Sequence, residues 1–404
     1  MIPVADALER MLSAVAPLPA ETVALPDGLG RVLAADVAAR VTQPPVAVSA
    51  MDGYAVRGAD VATAPARLRR IGEVAAGARF EGTVGPGEAV RIFTGAPVPA
   101  GADTVVIQED TTAEGEAVVV AEPYPAGRYV RRAGLDFTTG TVGLTAGRRL
   151  GARDIGLAAA MNVPWLSVHR RPRVAILATG DEIVMPGEPI GPSQIVSSNA
   201  LALAALVATA GGDATNLGIA RDDARSLTAH AEAARGFDLL VTTGGASVGE
   251  HDLVRSVLGE RGMRLDFYKI AMRPGKPLMF GRFGDVPLLG LPGNPVSSMV
   301  CGLLFLRPLL RRLQGLADTS EPVARATLGI ALAENDGRQD YLRARLERGP
   351  SGELVAHPFP LQDSSVMSLL AAADCLVVRP PRAPAARPGD PVDILPLSTG
   401  ILPA

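Results

Sequence analysis

The chain has 404 residues, 48% hydrophobic and 20% charged, with a net charge of -3. That length exceeds what a single core serves and suggests roughly two to four domains, while the near-neutral balance excludes a general nucleic-acid binder, which would carry a basic excess. No stretch approaches the ~20 apolar residues that cross a bilayer, and the opening segment lacks the basic-then-apolar pattern of a signal peptide, so a soluble cytoplasmic protein with no membrane partner is expected.

The 44 glycines and 34 prolines point to many turns and short strands. Cys301 and Cys375 stand far apart in apolar segments and read as buried free thiols of a reducing compartment.

In chain order, apolar residues at helical spacing predict an amphipathic helix over 3–16, then shorter strand-like pieces over 22–37. In the run QPPVAVSAMDGYAV the prolines force an extended approach and Asp52-Gly53 signals a tight turn. Residues 54–136 read as short strands divided by Gly and Pro, a compact β domain inserted into an N-terminal region of 1–168. Within it Thr94 closes one strand, where a local Thr-to-backbone hydrogen bond is the simplest account. Arg131 and Arg132 precede Asp136 as a solvated or internally paired charge cluster, and an Ala-rich helix follows over 151–163.

After HRRPR the pattern changes, with strands alternating with helices of 10–15 residues. That is the signature of βαβ units, so 172–316 is expected to form a doubly wound, mostly parallel α/β domain ending in a helix over 296–313. From 322 to 404 the chain again reads as β, a small terminal barrel or sandwich. The fold class expected is thus multidomain α/β plus β.

Ligands of such a sheet bind beyond the carboxyl ends of its strands. There the sequence gathers TGDE at 179–182, RDD at 221–223, TGGASVG at 243–249, RPGK at 273–276 and PGNP at 292–295. The glycine run after Leu239-Leu240-Val241 would let backbone N–H groups approach an anion at a helix N-terminus. Asp252, in the first turn of that helix, is either a dipole-stabilised charge or a metal-facing carboxylate. Arg343 and the pair Ser364-Ser365 are further possible anion ligands from the terminal β segment. There is no zinc-type His/Cys spacing, no GxSxG elbow, no P-loop and no GxGxxG. What remains is carboxylates, a few cations and a backbone anion cradle, a set suited to metal-assisted transfer or cleavage at a phosphate with Mg²⁺ on oxygen ligands.

Six motifs in order, SAMDGYA at 49–55, IFTGAPVP at 92–99, TGDEI at 179–183, TGGASVGEHD at 243–252, RPGKP at 273–277 and LPGNP at 291–295, resemble the MoeA family. These are molybdopterin molybdenumtransferases related to the E domain of gephyrin. The resemblance implies a homodimer that takes adenylylated molybdopterin from an upstream adenylyltransferase, inserts molybdate into its dithiolene and cleaves the adenylyl phosphoanhydride. AMP leaves, and the molybdenum cofactor passes to apo-molybdoenzymes or their chaperones, with Mg²⁺ required. By position it implies a catalytic set of Asp52, Asp136, Glu182, Asp222, Asp252 and Lys276, with Glu182, Asp222 and Asp252 at the metal. Thr243, Gly244, Gly245, Ser247 and Gly249, with Pro292 and Pro295, would bind the pterin nucleotide. Arg273, Arg343, Ser364 and Ser365 would hold oxyanions, and Asp52, Thr94 and Asp136 would reach the partner subunit's cleft.

Two positions depart from the family pattern: Leu135 where an acidic residue is frequent, and Arg273 where Lys is. Arginine keeps the charge but changes the donor geometry. Two competing readings are an adenylyltransferase, which would need neither the β domain nor the C-terminal segment, and a gephyrin-type scaffold, which would need no intact set of acidic and basic site residues.

Overall fold

A computed structural model describes residues 1–244, 257, 259 and 262–397. The N-terminal region is a two-way path. The outgoing strand Ala20–Ala24 pairs antiparallel with the returning strand Trp165–His169, Val37–Ala38 with Val142–Leu144, and Val48–Ser49 with Val130–Arg131. Single bridges at Leu33 to Val168 and Gln43 to Phe137 fill the gaps between them. At the far end lies a six-stranded sheet that begins with Gly53–Val56 and runs to Ala117–Val120. Its strands bury Ala55, Val90, Ile92 and Val105 on one face and Val56, Val106 and Val118 on the other. Both faces are covered, so strict hydrophobic alternation is not needed to form it.

The central domain is a mixed six-stranded sheet. Asp213–Ala220, Arg173–Thr179, Leu239–Thr243 and Val286–Leu291 are parallel neighbours. Met279–Phe283 and Met263–Tyr268 then continue it antiparallel. The helix Asn199–Thr209 and the helical segment 295–313 cover one face with Leu203, Val207, Phe305 and Leu309, while Ala224–Ala233 covers the other with Leu227 and Ala231. The sheet is therefore doubly wound. The expected helix over 296–313 is divided into Pro295–Cys301, a π turn at Gly302–Leu306, and Arg307–Leu313. Pro308 donates no N–H and crowds the preceding turn, and the widened π turn absorbs both.

The C-terminal strands close on themselves. Gln339–Arg348, Leu354–Pro358, Ala324–Leu328, Pro391–Pro396 and Cys375–Arg379 pair in that order, and the last returns to the first, so the segment is a five-stranded barrel rather than a sandwich. Leu342 and Ala344 point into its interior, while Tyr341 on the opposite face joins the central core. A short strand of the central domain, Met272–Arg273, pairs parallel with Gln339 and Asp340 of the barrel. The RPGKP loop is thereby fixed to both domains.

Candidate active site

Two adjoining compartments open where the parallel strands end, sharing Glu182, Gly244, Gly293 and Asn294. The smaller, about 230 Å³, has apolar walls from Ile183, Ile195 and Val196 and a polar floor from Thr179, Ser197, Asn199 and Thr243. The larger, about 550 Å³, is lined by Arg273, Lys276, Arg338, Ser297, Gln362 and Ser364. One compartment is largely uncharged and the other is cationic.

The sequence builds these walls locally. Gly244 sits at φ +91°, and a Cβ there would lie 2.4 Å from the Thr179 carbonyl oxygen, so only glycine lets the chain leave its strand at this point. Asn199, at the first position of its helix, donates through Nδ2 to Thr243 Oγ1 at 2.9 Å and to the Gly293 carbonyl at 2.7 Å. One carboxamide thus ties together the exits of two strands. Gly275 turns at φ +109° against Cys301, whose Sγ would stand 2.5 Å from any Cβ. Burial raises the pKa of the Cys301 thiol, so the residue is an inert floor under the loop.

The cations are held differently. Arg273 donates Nε and Nη2 to Asp340 at 3.0 and 2.6 Å, a bidentate pair whose carboxylate is buried. Arg338 pairs with Asp336, and its side-chain hydrogen bonds, followed by its backbone N–H, hold that carboxyl down at about 2. Lys276 has no ion-pair partner among the described residues and lines the cationic compartment. Among the described residues lining this compartment it is the cation free to meet an incoming anion. Ser364 accepts a hydrogen bond from Asn294 Nδ2 at 2.7 Å and offers its carbonyl to the Val296 N–H, so a loop of the barrel is docked onto the PGNP turn.

Arg343 requires a correction. It is 1% exposed, and its guanidinium donates to the Val366 and Leu361 carbonyls and to Gln362 Oε1. It faces the same side of its strand as Tyr341, beneath the 361–366 loop, and lines neither compartment. Arg338, and not Arg343, lines the cationic compartment, and Arg343 braces the loop that carries Ser364. Ser365 likewise turns aside, donating to Asp363 Oδ1 at 2.6 Å. Sequence reasoning passed over Arg338, Asn199, Ser297 and Asp340. Arg338 could have been found as the first charged residue before the barrel strand, but nothing in the sequence orders it ahead of Arg343.

Of the remaining predicted residues, Thr243, Pro292 and Pro295 line the compartments as well. Asp222 lines neither, and its backbone N–H reaches Asp181 Oδ1 at 3.2 Å. Gly245, Ser247, Gly249 and Asp252 lie outside the described residues. Among the described residues no three His, Cys, Asp or Glu side chains come together as a metal centre. Asp52, Thr94 and Asp136 also line neither compartment. The Thr94 hydroxyl donates to Asp52 Oδ1 at 2.8 Å, so it serves a carboxylate 42 residues away and not the local backbone expected from the turn. Arg131 and Arg132 are exposed, which makes them the solvated charges of the first expectation.

Three family models match in the order of the three regions: the MoeA N-terminal region (domain I and II) over 2–162, a probable molybdopterin binding domain over 175–312, and the MoeA C-terminal region (domain IV) over 325–397. The chain is 40% identical over 319 residues to a molybdopterin molybdenumtransferase of Nostoc sp., covering 77% of this chain and 73% of that one. The chain belongs to the MoeA family. It is also 37% identical over 361 residues to molybdopterin molybdenumtransferase 2 of Mycobacterium tuberculosis, covering 87% and 88% of the two chains. Among solved structures, the molybdopterin biosynthesis MoeA protein of Pyrococcus horikoshii OT3 superposes with a TM-score of 0.86 at 27% identity over 98% of this chain and all of that one. As a MoeA-family chain it shares the family's multidomain α/β-plus-β architecture, the inserted β sheet and terminal barrel included.

Proposed function

We propose that this chain inserts molybdate into adenylylated molybdopterin and releases molybdenum cofactor and AMP. The observation that carries the reading is the joining of a neutral compartment to a cationic one at the strand ends, with an unpaired lysine at Lys276. Apolar walls at Ile183, Ile195 and Val196 suit the planar part of a pterin nucleotide. Molybdate is doubly negative and must approach a phosphoanhydride that is itself anionic, so fixed cations are needed where the two meet. Lys276 supplies a point charge with three donors, while Arg273 and Arg338 are fixed in orientation at the compartment wall by their pairs with Asp340 and Asp336. Ser364 adds a hydroxyl from the barrel.

Glu182 stands at the boundary of both compartments, and its carboxylate makes no ion pair among the described residues. An oxygen donor in that position fits Mg²⁺, which takes one or two carboxylates and completes its shell from substrate phosphate and water. Glu182 would hold the ion, with Asp222 and Asp252 as its further candidate ligands. When bound, the ion would neutralise charge on the phosphates. The chain's own residues then enclose the nucleotide over a floor whose shape Asn199 and Thr243 fix by bonding to each other and to the Gly293 carbonyl, and keep the oxyanion against Lys276.

Asp52, Thr94 and Asp136 sit apart from the compartments on a surface that exposes Val46, Met51 and Leu135, the last at 64%. Exposed apolar side chains around carboxylates suit a protein contact. A homodimer in which this surface closes the partner subunit's cleft accounts for both features. The test is reconstitution: purified protein, adenylylated molybdopterin, molybdate and Mg²⁺ should yield cofactor that activates an apo-molybdoenzyme, and Lys276→Ala should raise the molybdate requirement before it affects nucleotide affinity. Tight nucleotide binding with no cofactor formed under any metal condition would leave only a scaffold role.

A further inference from the structure

Two buried hydroxyls at the ends of neighbouring central strands, Thr179 Oγ1 and Thr242 Oγ1, have no hydrogen-bond partner among the described residues. Thr179 is 4% exposed and Thr242 fully buried. Leaving a hydroxyl buried and unpaired opposes folding, so each calls for an explanation. Their positions differ in one respect. Thr179 lines the neutral compartment and Thr242 does not. The register Ala178 to Thr243 sets Thr179 opposite Gly244, and its Oγ1 lies 3.0 Å from where a Gly244 Cβ would be, so glycine there keeps the space over the hydroxyl open.

We propose that Thr179 is a binding residue whose hydroxyl donates to an acceptor oxygen of the ligand in the neutral compartment, completing on binding a hydrogen bond that no described residue supplies. This rests on the reading of that compartment as the pterin-nucleotide site. Thr179 is held in place by the strand rather than by side-chain partners, so its donor is fixed before the ligand arrives and little rotamer freedom is lost on binding. Two other polar side chains on that floor are already engaged: Asn199 spans Thr243 and Gly293, and Thr243 also reaches the Pro292 carbonyl at 3.3 Å. Among the described residues Thr179 is the one lining this floor whose hydroxyl is both buried and without a partner.

The experiment uses the full-length protein and titrates adenylylated molybdopterin by calorimetry into wild type, Thr179→Val, Thr179→Ser and Thr242→Val, with thermal midpoints measured in parallel. Removing an unpaired buried hydroxyl should leave the midpoint of either valine variant at or above wild type. Thr179→Val should bind about tenfold or more weakly, Thr179→Ser should recover most of that loss, and Thr242→Val should bind as wild type does. Equal affinity of Thr179→Val and wild type would overturn the proposal and leave the functional reading standing. If the wild type itself failed to bind, the functional reading would fall and the Thr179 assignment with it. A serine variant as weak as the valine variant would make the residue a packing element, contradicting a hydroxyl contact.

Discussion

Asp52 Oδ1 accepts two hydrogen bonds from Thr94, from its backbone N–H at 2.7 Å and from its hydroxyl at 2.8 Å. The backbone bond first, then the hydroxyl, with a smaller contribution from the Arg91 charge, hold the Asp52 carboxyl below the ordinary aspartate range. A lowered folded pKa means that this contact's contribution to stability is present above the unfolded pKa and is lost as pH falls through the folded one. Thr94→Val removes the hydroxyl bond and keeps the backbone one. A carbon-detected NMR titration should then place the Asp52 pKa higher than in wild type, still below that of an unstructured aspartate. An unchanged value would mean that the hydroxyl contributes nothing.

Because Asp52 is exposed at a turn, its side chain is separable from the fold. Asp52→Ala should stay folded with little change in stability, should keep the dimer proposed above, and should fail to insert molybdenum. Insertion at the wild-type rate would remove Asp52 from the site.

The central sheet is legible in the sequence because three of its four parallel strands, all but Asp213–Ala220, are apolar runs stopped by glycine or proline, and the turns at Gly244 and Asn294 meet the RPGKP loop that carries Lys276. What the sequence does not display is pairing across domains. Nothing near Arg273 announces Asp340, which lies 67 residues on and is buried by barrel closure. Arg343 misleads because a strand's two faces look alike in a barrel whose outer side is itself packed. Only the placement of Tyr341 against the central core shows that the neighbouring odd-numbered side chain is interior too.

That difference between Arg338 and Arg343 is measurable. Arg343→Ala leaves the Val366 and Leu361 carbonyls without their donor and should cost about 2–4 kcal/mol in denaturant unfolding. Arg338→Ala touches a half-buried, partly solvated pair and should cost about 1 kcal/mol or less, while molybdate affinity falls severalfold. The opposite pattern, with Arg343→Ala stable and defective in molybdate binding, would restore Arg343 to the oxyanion.

Asp340 tests how the RPGKP loop is held. Its carboxylate is buried and Arg273 is half-exposed, so Asp340→Asn should destabilise by about 1–3 kcal/mol, less than a fully buried pair would lose. The freed Arg273 should also raise the molybdate KM through loss of its set orientation. Restored molybdate KM in an Arg273→Lys, Asp340→Asn double variant would show instead that charge alone suffices.

The most direct measurement is a single turnover of purified protein with adenylylated molybdopterin and Mg²⁺, following AMP with and without molybdate. AMP release should depend on molybdate and be lost in Lys276→Ala at molybdate concentrations that saturate the wild type. AMP release at the same rate with no molybdate present, or none with it, would contradict a cleft that joins oxyanion capture to phosphoanhydride cleavage.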